Sequence, residues 1–358
     1  MEISVVIPTR RRAAKLAACL ASLAAQDMPR DRFEVLVGFD GPDPDAAARA
    51  GDAWRHAGGD PASLRLSQFD RVGYQAVRNL LLPEVRGRIL LSTNDDVVAD
   101  RSFVRTHAAA HAGRCAIVSG DSPWRVHQPD RLFDRMIRET SMVFFLDRMD
   151  DTDPARDWGF RHAWGLNMST PTDAVRAVGG FVVLPGHYGY EDTELAHALA
   201  ARFGAPVLFR PEARVEHDHR MEPEDYLQRE YRLGFAAVGL ALQRPDCARA
   251  IFNRDILSSD EIEYSRQFIA REHRGAAGAL AAFATLADLP ASTLDAPQGR
   301  ALTTLLYQQH LPLKRWCWRR GLLDSFEGRA CDPARALQSI AAPPPPARDA
   351  DRHRRRSA

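Results

Sequence analysis

Short apolar runs alternate with segments of helical spacing over the first hundred residues. The run from Ile3 to Ile7 is mostly β-branched, which is typical of a strand buried on both faces. Leu16, Leu20 and Leu23 follow at the i, i+4, i+7 spacing of an amphipathic helix. The same patterns predict strands at 33–39, 64–69 and 89–92, and helices at 46–56 and 73–82. This β-α-β-α order indicates an α/β fold with a mostly parallel sheet and helices on both faces.

The pattern changes twice farther along the chain. Between 121 and 164 the periodicity fades, and Trp, His and acidic residues crowd together. Order returns at 165–169, and the elements then predicted are helices at 171–178 and 191–203, the second ended by Gly204 and Pro206, and a strand at 207–209. After about 220 the spacing is helical almost throughout, with a capping-box pattern at Ser258 and Glu261.

We therefore expect three parts. An α/β domain occupies 1–220, and a helical region occupies 221–340. The last part, 341–358, combines a proline run with a basic end and is predicted to be disordered.

Composition and charge narrow the classes of function. The 358 residues are 45% apolar and 27% charged, which is typical of a soluble globular protein. The 48 basic and 47 acidic residues are intermixed, so we expect no nucleic-acid partner. The five cysteines are scattered and contain no CxxC pair, which argues against a disulfide framework and favours a reducing compartment. The first apolar run is too short for a signal peptide, and no stretch approaches the roughly 20 apolar residues of a membrane helix, so we expect a cytoplasmic protein.

Polar side chains follow two of the predicted strands, at the edge where an open parallel sheet binds its ligands. Asp40 ends a buried strand, where its carboxylate can accept hydrogen bonds from a nucleobase or a ribose; a simple Asp-Gly-Pro turn is the alternative. Asn94, Asp95 and Asp96 follow the strand at 89–92. Adjacent carboxylates at this edge suit Mn²⁺ or Mg²⁺ bound between them and a diphosphate, and a polar loop or helix cap is the alternative.

Two later groups complete the candidates. Glu191 and Asp192 open a predicted helix, where a carboxylate can take a proton from a hydroxyl group. Acidic residues in a first helical turn also stabilise the helix by about 0.3–1 kcal/mol without any chemistry, so this alternative stays open. His217 follows the last short strand, and a neutral imidazole beside carboxylates suits Mn²⁺. A surface or satisfied polar histidine is the alternative for this residue.

Taken together and in order, these motifs resemble the family 2 glycosyltransferases with the GT-A fold. The motifs are SVVIPTR, FEVLVGFDG, AVRN, STNDDVV, WGLNMS…VGGF, GYEDTEL and VEHDH. The later half is most similar to members with a galactosyltransferase-like second half, such as bacterial chondroitin-type polymerases. The likeness covers about residues 1–220 and implies a Rossmann-like GT-A sheet ahead of the C-terminal helical extension.

The resemblance also implies a role for each matched residue. Asp96 and His217 would bind the metal, and Asp192 would be the general base, with Glu191 positioning the acceptor or donor sugar. The nucleotide-sugar would be bound by the other matched positions, which are Pro8, Thr9, Arg10, Asp40, Arg78, Asn94, Asp95, Trp164, Gly165 and Asn167. Asn94 departs from the family pattern, which has Asp at the first position of the triplet, so the ribose or phosphate contacts there stay open.

The implied activity is metal-dependent, inverting transfer of a sugar from a nucleotide-diphosphate sugar to an acceptor hydroxyl. Uridine diphosphate is the usual nucleotide in similar enzymes, while a saccharide, a lipid-linked molecule and a small molecule all stay open as acceptors. A non-catalytic nucleotide- or carbohydrate-binding protein on the same fold is the alternative, and Asn94 favours it. Nucleotidyl transfer ranks lower, because the loop at 8–12 is basic but contains no glycine.

Two further segments carry weaker signals. The tract from Lys314 to Arg320 mixes basic residues with two tryptophans. We favour a helix that packs its tryptophans on the protein over peripheral contact with a membrane. The acidic stretch 147–157 is expected to be a solvated loop instead of a lid on the acceptor side.

Overall fold

The computed structural model describes residues 1–111, 113–144, 149, 153–295 and 297–341. Within these ranges the strands are β1 (Ile3–Thr9), β2 (Phe33–Asp40), β3 (Leu64–Phe69), β4 (Ile89–Thr93), β5 (Val97–Ala99), β6 (Ile117–Gly120), β7 (Asn167–Pro171), β8 (Val207–Arg210) and β9 (Val215–His217). The α-helices are α1 (Ala13–Ala24), α2 (Pro44–His56), α3 (Tyr74–Leu81), α4 (Phe103–Ala110), α5 (Leu132–Glu139), α6 (Thr172–Val178), α7 (Glu191–Phe203), α8 (Pro223–Gln243), α9 (Pro245–Phe252), α10 (Ser259–Thr285), α11 (Gly299–Phe326) and α12 (Pro333–Ala341).

One mostly parallel sheet forms the centre of the first part. Its strand order is β3-β2-β1-β4-β7-β6-β8, and β7 runs antiparallel to both β4 and β6. Strands β1, β2 and β4 are parallel and aligned, since Ile3 pairs with Phe33 on one side and with Ile89 on the other. Their carboxyl ends therefore meet at one edge. This sheet, flanked by helices and followed by a helical region, confirms the predicted GT-A fold class.

The elements with strong local patterns lie where the sequence predicts them. Every residue of β1 and β2 is buried, as expected of strands covered on both faces. Helix α7 ends at Gly204 in the left-handed conformation, and the Ser258 hydroxyl accepts from Glu261 N–H at the start of α10. Six short elements were not predicted, and these are β5, β6, β7, β9, α4 and α5.

Helix α5 shows why the segment around it has no readable periodicity. Its buried side chains, among them Phe133 and Met136, pack with residues of α8, α10 and α11. The Phe133 ring, for example, meets the ring of Phe283 edge-on at 5.3 Å. Its buried apolar residues do have helical spacing, but the helix spans eight residues, fewer than the roughly 11 over which such a pattern is readable.

The helical region begins after the last strand. Strands of the described residues lie between Ile3 and His217, and from Pro223 onward those residues contain helices. Because α5 packs into the core of this helical region, the domain boundary near 220 stays a prediction. The predicted tail lies outside the described residues except for residue 341, and much of the predicted loop at 147–157 lies outside them as well.

Helices α8 and α11 cross at a pair of glycines. A Cβ atom added at Gly234 would overlap the carbonyl oxygen of Trp318, and one added at Gly321 would overlap that of Tyr231. The two backbones are therefore in direct contact at this crossing. Within the described residues, no helix is long and apolar enough to cross a membrane. All five cysteines are free thiols.

Replacement of Gly321 by Ala should destabilise the protein by about 3 kcal/mol, because the added methyl group forces two helix backbones apart. The matched control is Gly278→Ala in α10, where an added Cβ meets nothing within 4 Å. That change should stabilise the protein by about 0.5–1 kcal/mol through helix propensity. Urea unfolding followed by circular dichroism measures both, and equal effects of the two changes would contradict the proposed contact.

A buried carboxylate, Glu34, links neighbouring elements at the amino edge of the parallel strands, opposite the carboxyl edge. Glu34 on β2 is 1% exposed and accepts hydrogen bonds from Ser4 Oγ at 2.5 Å and Arg86 Nε at 2.7 Å, while Arg65 Nη2 lies 3.0 Å away. Burial acts to raise the pKa of Glu34, but the hydrogen bonds from Ser4 and Arg86 and the charge of Arg65 outweigh it. The pKa of Glu34 therefore lies below its ordinary value.

Because this pKa is lowered on folding, the stabilisation is present at neutral pH and is lost as the pH falls below about 4.3. Glu34→Gln should lower stability at pH 7 by about 2 kcal/mol and flatten the loss of stability between pH 5 and 3. Thermal unfolding across this pH range measures the effect. Asp27→Asn is the control, since Asp27 pairs with Arg105 at the surface, where ion pairs contribute little. If Glu34→Gln lost as much stability between pH 5 and 3 as the wild type does, this assignment would be refuted.

Candidate active site

The predicted polar residues gather at the carboxyl edge of the sheet. Pro8 and Thr9 are buried at the end of β1, and Arg10 lies just beyond it on the surface. Asp40 ends β2, and its Oδ1 accepts from the N–H groups of Val72 at 2.7 Å and Gly73 at 2.9 Å. Asp40 thus holds the turn into α3 as well as facing the edge where ligands bind.

The carboxylates of Asp95 and Asp96 are buried side by side directly after β4. Asp95 is 4% exposed and accepts from Thr9 Oγ1 at 2.7 Å. Arg12 Nη1 donates to Asp95 Oδ1 at 3.3 Å and to Asp96 Oδ2 at 2.7 Å, so one guanidinium bridges both acids. Arg12 was not among the predicted site residues. It follows Arg11, whose φ of 52° is in the left-handed region.

The two acids differ in their charge state. Burial and then the charge of Asp96 raise the pKa of Asp95 to about 6. Burial also acts to raise the pKa of Asp96, but the imidazole of His217 and the charge of Arg12 outweigh it and hold that pKa well below its usual range. Asp96 is therefore the more firmly ionised of the two.

His217 reaches Asp96 through backbone pairing. Strands β5 and β9 are antiparallel with Val97 opposite His217, and Asp218 N–H donates to the Asp96 carbonyl at 2.7 Å. His217 Nε2 lies 3.5 Å from Asp96 Oδ1 as a result. The two predicted metal ligands are thus neighbours in space.

The local chemistry fits a hard divalent cation. Asp96 Oδ1 is buried and accepts no hydrogen bond among the described residues. An unsatisfied carboxylate oxygen of this kind, next to an imidazole, is suited to Mn²⁺ or Mg²⁺. Within the described part of the chain, no group of three or more His, Cys, Asp or Glu side chains is arranged to hold a metal ion. Asp96 and His217 are thus the described residues that could supply two ligands to such a cation.

His219 and Trp124 border the same acid and were not predicted. His219 Nδ1 lies 3.5 Å from Asp96 Oδ2, and its ring stacks on that of His217 with centroids 5.6 Å apart. The available signal was the VEHDH motif, since alternate residues of an extended segment share one face. The Trp124 ring covers His217 at 4.3 Å. Beside it lies a cavity of about 240 Å³, lined by Asp121, Ser122, Pro123, Trp124, Ile137, Arg138, Thr140 and Phe144.

Arg78 connects the acidic triplet to the start of α7. It is 2% exposed, its Nη2 donates to Asn94 Oδ1 at 3.1 Å, and its Nη1 lies 3.6 Å from Glu191 Oε1. Gln75 Nε2 donates to the other oxygen of Glu191 at 3.0 Å. Because Asn94 is neutral, Glu191 is the acidic partner of Arg78 in this pair of contacts. The departure from the family pattern at position 94 is thus accommodated by an internal hydrogen bond.

Asp192 lies beside this cluster. Its Oδ2 accepts from the backbone N–H of Gly165 at 2.6 Å. A Cβ added at Gly165 would lie 3.3 Å from both Arg78 Nη2 and Asp192 Oδ2, so this position leaves little room for a side chain. Burial, followed by the charge of Asp192, raises the pKa of Glu191 well above its ordinary range. The protonated form of Glu191 is therefore favoured beside Asp192.

The last two predicted residues differ in position. Trp164 is half-buried, with its ring edge-on to Phe144 at 5.7 Å. Asn167 is 3% exposed, and its amide donates to the carbonyls of Asp121 at 3.1 Å and Ala213 at 2.8 Å, while His107 Nε2 lies 2.8 Å from its Oδ1. These protein partners engage the side chain, so Asn167 joins neighbouring strand ends. Its role in nucleotide-sugar binding stays a prediction.

Comparison with known proteins agrees with this geometry. Residues 4–169 match the family model of glycosyl transferase family 2. That range includes the Asn94 to Asp96 triplet but ends before Glu191, Asp192 and His217. None of the curated proteins matches the sequence of this chain.

Structures of TarS from S. aureus share the fold at low sequence identity. The 1–349 fragment of TarS has a TM-score of 0.50 and 16% identity, covering 92% of this chain and 92% of that chain. The same fragment in complex with UDP-GlcNAc gives 0.50 and 16%, covering 92% and 93%. A longer TarS structure gives 0.51 and 16%, covering 90% of this chain and 55% of that chain. By its family match over 4–169, and consistently with this shared fold, the chain contains a glycosyl transferase family 2 domain and is a glycosyltransferase.

Proposed function

We propose that this glycosyltransferase binds a nucleotide-diphosphate sugar through a divalent cation and transfers the sugar to an acceptor hydroxyl with inversion. The observation that carries the proposal is the buried Asp96 carboxylate, which has one unsatisfied oxygen and His217 Nε2 at 3.5 Å from it. Asp96 and His217 would hold Mn²⁺ or Mg²⁺, which when bound stabilises negative charge on the leaving diphosphate.

The nucleotide would lie across the ends of β1, β2 and β4. Asp40 uses Oδ1 to accept from Val72 and Gly73, which leaves its second oxygen for a nucleobase or ribose donor. Thr9 orients Asp95 through its 2.7 Å hydrogen bond. Arg12 already binds the acid pair and would lie beside the diphosphate. Uridine diphosphate is the proposed nucleotide, supported by the sequence resemblance and by the UDP-GlcNAc complex of TarS, which shares this fold.

Asp192 is the proposed general base. The Gly165 N–H donates to its Oδ2 and fixes the carboxylate beside Arg78. The raised pKa of Glu191 favours the protonated form of that residue. The carboxylate of Asp192 would accept the proton of the attacking hydroxyl. Direct attack by that hydroxyl on the anomeric carbon inverts the centre.

The cavity beside Trp124 is proposed to receive a sugar unit. Its volume of about 240 Å³ and the half-buried rings of Trp124 and Phe144 in its lining suit a sugar ring that packs on aromatic side chains. The chondroitin-type likeness, the cytoplasmic location and contact with a membrane stay predictions, as do the domain boundaries.

Replacement of Asp96 by Ala should weaken the binding of UDP in the presence of Mn²⁺ by about tenfold or more, because it removes the ionised ligand. Thermal shift with UDP, with and without Mn²⁺, measures this loss. Asp173→Ala is the control, since the Asp173 side chain is 97% exposed on α6. Unchanged Mn²⁺-dependent affinity in Asp96→Ala would count against the proposed metal site.

Asp192→Asn should preserve the Gly165 hydrogen bond and UDP binding but slow turnover by about 10²- to 10⁴-fold, because an amide accepts no proton at neutral pH. Release of UDP from a UDP-sugar measures turnover. A wild-type protein that binds UDP-sugars but releases no UDP, with any acceptor or with water, would favour the non-catalytic alternative.

Glu191→Gln should be milder than Asp192→Asn, since a neutral amide resembles a protonated carboxyl and keeps the contact with Gln75. We expect a loss of turnover of about tenfold or less. The same UDP-release assay compares the two variants. A larger loss in Glu191→Gln than in Asp192→Asn would reverse the assignment of the base.

A further inference from the structure

The backbone that leads into Glu191 and Asp192 adopts an unfavourable conformation. Tyr190 immediately precedes them with φ 65° and ψ −9°, and Gly189 has φ 83°. A bulky residue in the left-handed region is uncommon and costs about 1–3 kcal/mol unless neighbouring groups stabilise it. The position of Asp192 therefore depends on contacts that hold Tyr190 in place.

Those contacts come from the helical region. Trp318 Nε1 of α11 donates a hydrogen bond to the Tyr190 hydroxyl at 3.1 Å. The ring of Phe252 lies edge-on to Tyr190 at 5.7 Å and against Trp318 at 5.5 Å. Three aromatic rings from α9, α11 and the loop thus interlock beside the catalytic helix.

Helix α8 packs against the same loop, residues 185–190. A Cβ added at Gly189 would overlap the side chain of Leu233, and one added at Gly239 would overlap Pro185. Trp318 is itself fixed where α8 and α11 touch, because its carbonyl oxygen packs against Gly234. The loop from 185 to 190 therefore rests on a rigid crossing of two long helices.

We propose that Trp318 and Tyr190 are positioning residues, which hold the 185–190 loop so that Asp192 meets the Gly165 N–H beside the reacting groups. The helical region is then part of the catalytic apparatus through its effect on α7. This inference rests on the proposed role of Asp192 as the general base.

Trp316 provides a matched comparison within the same helix. It lies two residues before Trp318, is 1% exposed, and its Nε1 donates to the Ile269 carbonyl of α10 at 3.1 Å. Both indoles therefore donate one hydrogen bond of the same length. Trp316 packs into the core of the helical region, whereas Trp318 contacts the loop before α7. Loss of either indole removes similar chemistry from the fold, and only loss of Trp318 releases the loop.

The experiment compares Trp318→Phe and Trp316→Phe in the full chain. In Trp318→Phe we expect kcat for UDP release to fall about tenfold, with KM for the UDP-sugar within about twofold of wild type, because misplacement of a base affects the chemical step. Hydrogen exchange over 185–192 should become about fivefold faster, as expected from the loss of one hydrogen bond. Trp316→Phe should lower Tm while leaving kcat and this exchange near wild type.

Tyr190→Phe tests the same bond from the other side and removes a single oxygen atom. It should lower kcat as Trp318→Phe does, and the double variant should be no worse than the more affected single variant, since both remove one interaction. Equal kcat values for Trp318→Phe and Trp316→Phe, or additive losses in the double variant, would overturn the proposal. A wild-type enzyme without turnover would contradict the proposed function instead. The exchange comparison would still test the anchor, and equal exchange in the two tryptophan variants would refute it.

Discussion

The burial of two adjacent carboxylates at the end of β4 is the constraint on which the rest of the site depends. Asp95 and Asp96 are each less than 5% exposed, and two negative charges removed from water at this separation are strongly unfavourable without a cation. Arg12 bridges them, and His217 closes the other side of Asp96. The buried acidic pair is thus stabilised by positive charge at the position proposed for the diphosphate. The pairing of β5 with β9 places His217 next to Asp96.

Buried acidic residues lie at both edges of the main sheet, and they differ in how their carboxylate oxygens are hydrogen-bonded. At one edge, Glu34 has its oxygens fully engaged by hydroxyl, backbone and guanidinium donors, so it contributes to stability. At the other, Asp96 keeps one oxygen without a donor, and its partner Asp95 has a raised pKa. Both kinds of acid are buried near the ends of β-strands. They differ in how fully their oxygens accept hydrogen bonds, and this difference supports the second edge as the proposed ligand site.

The two parts of the chain are interdependent. The family match covers 4–169 and so includes the acidic triplet, but Asp192 and His217 lie beyond it. The helices that follow pack around α5 and against the loop before α7, where Trp318 reaches Tyr190. Because α8 and α11 cross at glycines, their contact is close enough to hold that loop rigidly. Asp192, the proposed general base, is in this way supported by helices from the last third of the chain.

The sequence by itself determined strands β1 to β4 and β8, the main helices of the first part and the edge of the sheet at which Asp40 and Asp96 lie. These features follow from local periodicity and from the alignment of parallel strands, which need no knowledge of distant partners. Only the tertiary structure brought Arg12 to the acid pair, joined the Asn167 amide to the Asp121 and Ala213 carbonyls, and joined Trp318 to Tyr190, which are 128 residues apart. Contacts of this kind are selected by packing and by the cost of burying charge over the whole molecule. No local pattern encodes them, because each partner alone resembles an ordinary surface or core residue.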